Sequence, residues 1–229
     1  MTAAGRAPTG SSPHRAPTRR LAGKLAALLA MLLVCVDSRA HPHAWIDVES
    51  TIVLSSDGVI SAIEETWLFD ELYTAGLMEE IAPDGRPQEA ALGKFAARVI
   101  EDLGPYGYFM RVTADGRPVR LAAVTQFRSE MKGLQLSLSF TAPLDEPVDP
   151  KRHAVQFSVF DPSYFIQMSH RPEAPPTLKN DPEHHCRVRV ERADPSPETI
   201  LRAFSLDRGA SPQEDLGLMF AEKVFVQCG

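Results

Sequence analysis

Apolar and polar residues alternate from Ala44 to Leu54, with Ile46, Val48, Ile52 and Leu54 on one face. That period of two predicts a half-buried strand. Ser55-Ser56-Asp57-Gly58 supplies a turn, and Val59 to Phe69 predicts the returning strand of a hairpin. The pattern then lengthens. Asp70 to Ile81 predicts a short helix, which Pro83-Asp84-Gly85-Arg86-Pro87 ends. From Gln88 to Leu103 the apolar residues Leu92, Phe95, Ala96, Val99, Ile100 and Leu103 recur at helical spacing, and Gly104-Pro105 stops them. A second hairpin is expected from Tyr106–Val112 and Pro118–Phe127 around Ala114-Asp115-Gly116-Arg117. Leu134, Leu136, Leu138 and Phe140 alternate as a further strand, followed by Val155–Phe160 and Tyr164–Met168, bent at Asp161-Pro162. Pro172–Pro182 reads as a Pro-rich loop. His184–Glu191 and Val224–Cys228 read as strands, and Thr199–Phe204 and Pro212–Ala221 as short helices. No internal repeat is visible. The expected fold is α+β and mainly antiparallel: one sandwich-like β domain with a helical insertion near 70–104 and short C-terminal helices.

The first forty residues follow a different pattern. Residues 1–24 are basic and contain no acid, Leu25 to Val36 is apolar, and Asp37-Ser38-Arg39-Ala40 follows. A basic start, a short apolar stretch and a small-x-small end are the parts of a secretory signal peptide, with cleavage expected after Ala40. The apolar run has 12 residues, short of the roughly 20 that a spanning helix needs. Arg19-Arg20 is not followed by a good twin-arginine pattern, so ordinary secretion is expected. The domain reading is therefore a signal peptide over 1–40 and a single periplasmic domain over 41–229, with no membrane insertion after cleavage.

Charge sharpens this picture. The whole chain carries a net charge of −6. Removing residues 1–40 leaves 18 basic and 29 acidic residues, a net charge of −11. Such a surface repels nucleic acid and anionic lipid and attracts cations. Hydrophobic residues at 44% and charged residues at 24% are those of a globular protein. After cleavage Cys186 and Cys228 remain, and an even count in an oxidising compartment predicts one disulfide rather than a thiolate metal pair.

The chemistry-bearing residues gather at the expected new N-terminus, His41-Pro42-His43-Ala44-Trp45-Ile46-Asp47. On a strand His41, His43, Trp45 and Asp47 share one face, while Ala44, Ile46 and Val48 face the core. Same-face neighbours are about 6.6 Å apart, so two imidazoles at i and i+2 can reach one metal ion. Asp47 lies about 13 Å from His43, which suits a supporting role. Imidazole and a free amine suit Ni²⁺, Co²⁺ and Zn²⁺, with Cu²⁺ also possible. Two side chains do not complete a shell, and His153, His170, His184, His185, Asp161, Asp70 and Glu71 are the residues that could add to it. Asp161 and His170 are taken as candidate ligands beside His41, His43 and Asp47. No GxSxG elbow, nucleophilic Cys/His pattern or Gly-rich phosphate loop is present, so no enzymatic activity is expected.

HPHAWID after a signal peptide, WLFDELY (Trp67–Tyr73), VFDPSYF (Val159–Phe165) and LGLMFAEKVFVQC (Leu216–Cys228) resemble the bacterial periplasmic family called domain of unknown function 1007. The resemblance runs in order through the chain after Ala40. It carries over to His41, His43, Trp45, Asp47, Trp67, Asp70, Asp161, Tyr164, Cys186 and Cys228, and agrees with a disulfide between the last two. Here the segment Glu79–Gly85 is thinner in Asp than the family pattern. The resemblance implies a periplasmic component of a transport system that accompanies inner-membrane nickel/cobalt transporters. The expected function is thus a metal-binding accessory protein partnered by an inner-membrane transporter. The alternatives are a copper protein or copper redox enzyme built on the N-terminal His, and a metal-independent docking module that adds a strand to a transporter loop.

Overall fold

The computed structural model describes residues 42–181, 185–205 and 216–229. All of them belong to one compact unit spanning Arg39–Gly229. Eleven strands are described: β1 (Ala44–Leu54), β2 (Ile60–Phe69), β3 (Met110–Ala114), β4 (Arg117–Val119), β5 (Gln126–Lys132), β6 (Gln135–Val148), β7 (Val155–Val159), β8 (Ile166–His170), β9 (Thr177–Lys179), β10 (Cys186–Glu191) and β11 (Lys223–Cys228). They form two sheets. The first has the order β5-β6-β2-β1-β8, with β9 also on β1, and the second has the order β10-β11-β7-β3-β4. All pairings are antiparallel except β8 and β9, which run parallel to β1. The α+β, mainly antiparallel fold read from the pattern is the fold observed.

The inner faces of both sheets share one apolar core. Ile46, Val48, Ile52, Trp67, Leu136 and Leu138 come from the first sheet, and Val112, Phe157, Val224 and Val226 from the second. Strict alternation makes this possible, because every second residue of β1 and β6 turns inward. Two helices, α1 (Glu71–Ile81) and α2 (Glu89–Leu103), follow β2. Helix α2 buries Leu92, Phe95, Ala96, Ile100 and Leu103, the stripe that its spacing predicts. Phe95 meets Phe69 edge-on at 6.4 Å, joining the helical stripe to the sheet core. A third helix, α3 (Pro197–Ser205), precedes the C-terminal strand.

Four expectations change. Tyr106–Phe109 is not strand but the latter part of a tight 3₁₀ segment, Gly104–Phe109. Gly107, Tyr108 and Phe109 there take φ of 60°, 56° and 55°. Tyr108 is buried in that conformation, and its hydroxyl accepts the Val124 N–H at 3.0 Å. A tertiary hydrogen bond thus overrides a local alternation that suggested strand. The returning strand is cut to β4, after which the chain crosses to the first sheet as β5. The Pro-rich segment 172–182 contains β9, whose Leu178 pairs with Ile52. Of the expected helix 212–221, residues 212–215 lie outside the described residues, and Gly217–Phe220 is a 3₁₀ turn.

That turn packs closely on the Asp161 loop. Gly217 N–H donates to the Pro162 carbonyl at 3.1 Å. A Cβ added at Gly217 would overlap the Asp161 carbonyl group. Gly217→Ala is therefore expected to lower stability by about 1–3 kcal/mol, the range for overpacking. Thermal unfolding would measure it, and an unchanged melting temperature would show that the two segments do not pack this closely.

Candidate functional site

Two places on the domain concentrate polar chemistry. The first is the mouth of β1. His43 N–H donates to the Phe165 carbonyl at 2.8 Å, which aligns β1 with β8 from its first residue. The His43 ring lies against Phe165 with centroids 4.7 Å apart. Trp45 N–H donates to Asp70 Oδ2 at 2.9 Å, and Asp70 N–H donates back to the Trp45 carbonyl. Asp70 Oδ1 accepts the Tyr73 N–H at 2.8 Å, so one carboxylate caps α1 and pins the start of β1. Burial, then the charges of Asp161 and Asp70, raise the Tyr73 phenol. Those two carboxylates therefore stand within electrostatic reach of the same ring.

Asp161 organises the loop before β8. Its Oδ1 accepts from Ser163 N–H and the Ser163 hydroxyl, and its Oδ2 accepts from the Ile166 N–H at 3.0 Å. Tyr164 sits at φ 58° within this loop and stacks on Phe220 at 3.8 Å. The sequence pattern Asp-Pro-Ser-Tyr-Phe builds a turn whose carboxylate is occupied by its own backbone.

The outer face of β1 matches expectation. Trp45 is 52% exposed and Asp47 half-buried, while Ala44, Ile46 and Val48 are buried. Asp47 lies 3.9 Å from Arg171, which also pairs with Glu49 at 2.5 Å and approaches Glu173. Burial raises the Asp47 carboxyl; Arg171 opposes this, and Glu173 and Glu49 add to it. The structure thus sets Asp47 in an ion-pair cluster on the outer face of the sheet. His41 and His184 lie outside the described residues.

The second place is inside the sandwich, and it takes His170. His170 is 8% exposed, and its Nδ1 lies 2.8 Å from Glu222 Oε2, which also accepts the His170 backbone N–H. Its Nε2 lies 2.9 Å from Ser50 Oγ. Ser50 Oγ lies 2.7 Å from Glu65 Oε1, and Trp67 Nε1–H donates to Glu65 Oε2 at 3.2 Å. Arg192 approaches Glu222 Oε1 at 3.9 Å. Burial pushes the Glu65 carboxyl up to about 8 against the hydrogen bonds of Ser50 and Trp67. Burial would raise Glu222 too, but the hydrogen bonds and charge of His170 outweigh it, with help from Arg192, and hold that carboxyl low. The result is a polar line from β2 through β1 and β8 to the residue before β11.

The structure therefore gathers His43, Asp161 and Asp70 near one end of β1, sets Asp47 on the outer face and seats His170 in the core. Both His170 ring nitrogens and both Asp161 oxygens are in hydrogen bonds. Among the described residues, no three His, Cys, Asp or Glu are placed to hold one metal ion. Sequence reasoning passed over Ser50, Glu65 and Glu222. The signal was there: Ser50 interrupts the inward series Val48–Ile52, and Glu65 falls two residues before Trp67 on the same face. Cys186 and Cys228 are bridged, and they face each other in the β10–β11 register. Bridges of this kind persist in oxidising compartments. Among the described residues, no helix is long and apolar enough to cross a membrane.

Comparison with known proteins adds a family but no activity. An "Uncharacterized protein" of Haemophilus influenzae (strain ATCC 51907 / DSM 11121 / KW20 / Rd) is 23% identical over 208 residues, covering 90% of this chain and 99% of its own length. No solved structure matches significantly. The family described as "Protein of unknown function (DUF1007)" matches residues 26–228. Spanning most of the protein, that match shows that the chain belongs to the DUF1007 family.

Proposed function

We propose that this protein works in the periplasm as a non-enzymatic accessory of a transition-metal transport system. It takes Ni²⁺, Co²⁺ or Zn²⁺ as cargo through His41 and His43 and passes it to or from an inner-membrane transporter. The observation that carries this reading is the position of His43. It stands one residue before the inner strand β1, its backbone tied to Phe165 and its ring laid against the Phe165 ring. His43 is thus held at a fixed place, with the Asp70 and Asp161 carboxylates at the same end of β1. Asp161 and His170 serve the fold in this reading, because their polar atoms are already engaged. Signal cleavage after Ala40 would leave the His41 amine as a third nitrogen.

The test is calorimetry on the metal-stripped protein beginning at His41, titrated with Ni²⁺, Co²⁺, Zn²⁺ and Cu²⁺. Copper belongs in the series because nitrogen sites bind it most tightly. The expected result is 1:1 binding. His41→Ala with His43→Ala should weaken it by more than the roughly 10–100-fold that loss of an outer partner costs. Equal affinity in the double variant would remove the metal reading and leave the docking-module alternative.

A further inference from the structure

The line Trp67–Glu65–Ser50–His170–Glu222 has a property that follows from counting hydrogens. A hydroxyl offers one hydrogen and two lone pairs, and a neutral imidazole offers one donor and one acceptor. Suppose Glu65 holds a proton and His170 is neutral. Trp67 N–H then donates to Glu65 Oε2, and the Glu65 O–H donates to Ser50 Oγ. The Ser50 hydroxyl donates to His170 Nε2, and His170 Nδ1–H donates to ionised Glu222. Every close contact in the line, from 2.7 to 3.2 Å, then has one donor and one acceptor.

Removing one proton breaks this order. With Glu65 ionised and His170 still neutral, two acceptors face the single Ser50 hydrogen. Adding one proton also breaks it. With His170 charged and Glu65 neutral, two donors meet Ser50 and its own hydrogen has no acceptor in the line. Either error is made in the core, where Ser50 is 2% and Glu65 1% exposed, so water does not readily repair it.

The line also has a mechanical position. His170 is the last residue of β8, which among the described strands pairs with β1 alone. Ser50 lies on β1, Glu65 on β2, and Glu222 beside β11 of the opposite sheet. The same hydrogen-bond order, Ser to His to carboxylate, occurs in hydrolytic triads. Here the serine is closed inside the sheet, so the order serves holding rather than attack.

We propose that Glu65, Ser50, His170 and Glu222 form a protonation lock that fastens β8 to the core at one proton count and releases it when a proton is gained or lost. The charged groups around the lock are few. Arg192 faces Glu222 from beyond β10, with the Glu191–Lys223 pair next to it. Arg171, Asp47, Glu49 and Glu173 lie beside His170 on the outer face of β1 and β8. Glu64 pairs with Lys179 of β9. None of these supplies a hydrogen to the Ser50 junction.

Two measurements on the full domain test the lock. Nitrogen NMR of labelled wild-type protein at neutral pH reads the His170 tautomer directly. The expected form carries its hydrogen on Nδ1, the less common tautomer of free histidine; hydrogen on Nε2 would overturn the proposal. Hydrogen exchange of the amides 166–170, corrected for intrinsic rates, is then followed from about pH 5 to about pH 9. Protection should peak between the extremes and fall by about tenfold or more on each side, the scale of one lost buried hydrogen bond. Glu65→Gln keeps a donor toward Ser50 and an acceptor toward Trp67 and cannot ionise. It should abolish the alkaline fall and keep the acid one. Parallel profiles in wild type and variant would overturn the lock.

Discussion

The free energy of unfolding is expected to fall by about 5 kcal/mol as pH rises from about 4.5 to about 8, and Glu65→Gln is expected to flatten that fall. The sign follows from linkage. Glu65 shifts from an ordinary 4.5 to about 8 on folding, so the folded state holds the proton more tightly. Its contribution is complete below the unfolded value. It declines as pH passes from about 4.5 toward 8 and is gone above that. A loss of this size rivals the whole stability of many domains. Glu222 works in the other direction. Its carboxyl is held low, so its contribution is present above the ordinary glutamate value and lost on acidification. Chemical denaturation at a series of pH values would show a maximum between these slopes. Glu65→Gln should share the acid limb and lose the alkaline one, and an unchanged alkaline limb would place the ionisation elsewhere. Glu65→Ala should be far worse than Gln, because it strands the Trp67 N–H in the core and leaves Ser50 Oγ with His170 as its one partner in the line.

Reducing the disulfide is expected to cost about 4 kcal/mol. Cys186 and Cys228 are 42 positions apart, and the bridge closes that loop in the unfolded chain. Within the loop lies the whole segment that carries α3 and the 3₁₀ turn at Gly217. The bridge also ties β10 to β11, the strand it pairs with among the described residues. Denaturation with and without reductant, beside a Cys186→Ala, Cys228→Ala variant, would measure the effect. The double variant should match the reduced protein. A loss under about 1 kcal/mol in both would mean that the unfolded chain is little constrained by the bridge.

Much of the fold was legible in the chain because its main elements have clean periods. β1 places apolar residues at every inward position but Ser50, and α2 repeats its apolar residues at the helical interval. The disulfide was legible from two cysteines left after Ala40. What failed was set by distant partners. Tyr108 takes a positive φ so that its hydroxyl can meet Val124, and nothing near Tyr108 announces this. β9 has three residues and exists because Ile52 offers it a partner. The buried polar line escaped for a similar reason. Ser50, Glu65, His170 and Glu222 are spread over 173 positions; Ser50, Glu65 and Glu222 each read alone as ordinary residues, and His170 reads as a metal ligand rather than as part of a core network. Only the inward phase of Ser50 and Glu65 in their strands marked them, and that phase gains meaning once His170 is seen opposite. The outward line of Trp45 and Asp47 was legible, but the Arg171 partner of Asp47 was not, because parallel β8 brings it from more than 120 residues away.

The placement of β1 has a consequence for how the chain reaches this fold. The first described strand is an inner strand of its sheet, joined to β2 on one side and to β8 and β9 on the other. Its pairing with β2 is local, but its other edge waits for residues 166–179. Contacts so distant in sequence slow folding, since a long loop must close before they form. Until then the β1 edge from Ala44 to Val53 stays open as a template for other strands. A chain delivered from its N-terminus would carry that open edge through most of its synthesis or export. The domain is thus built to finish late, when its C-terminal half arrives to close the sheet.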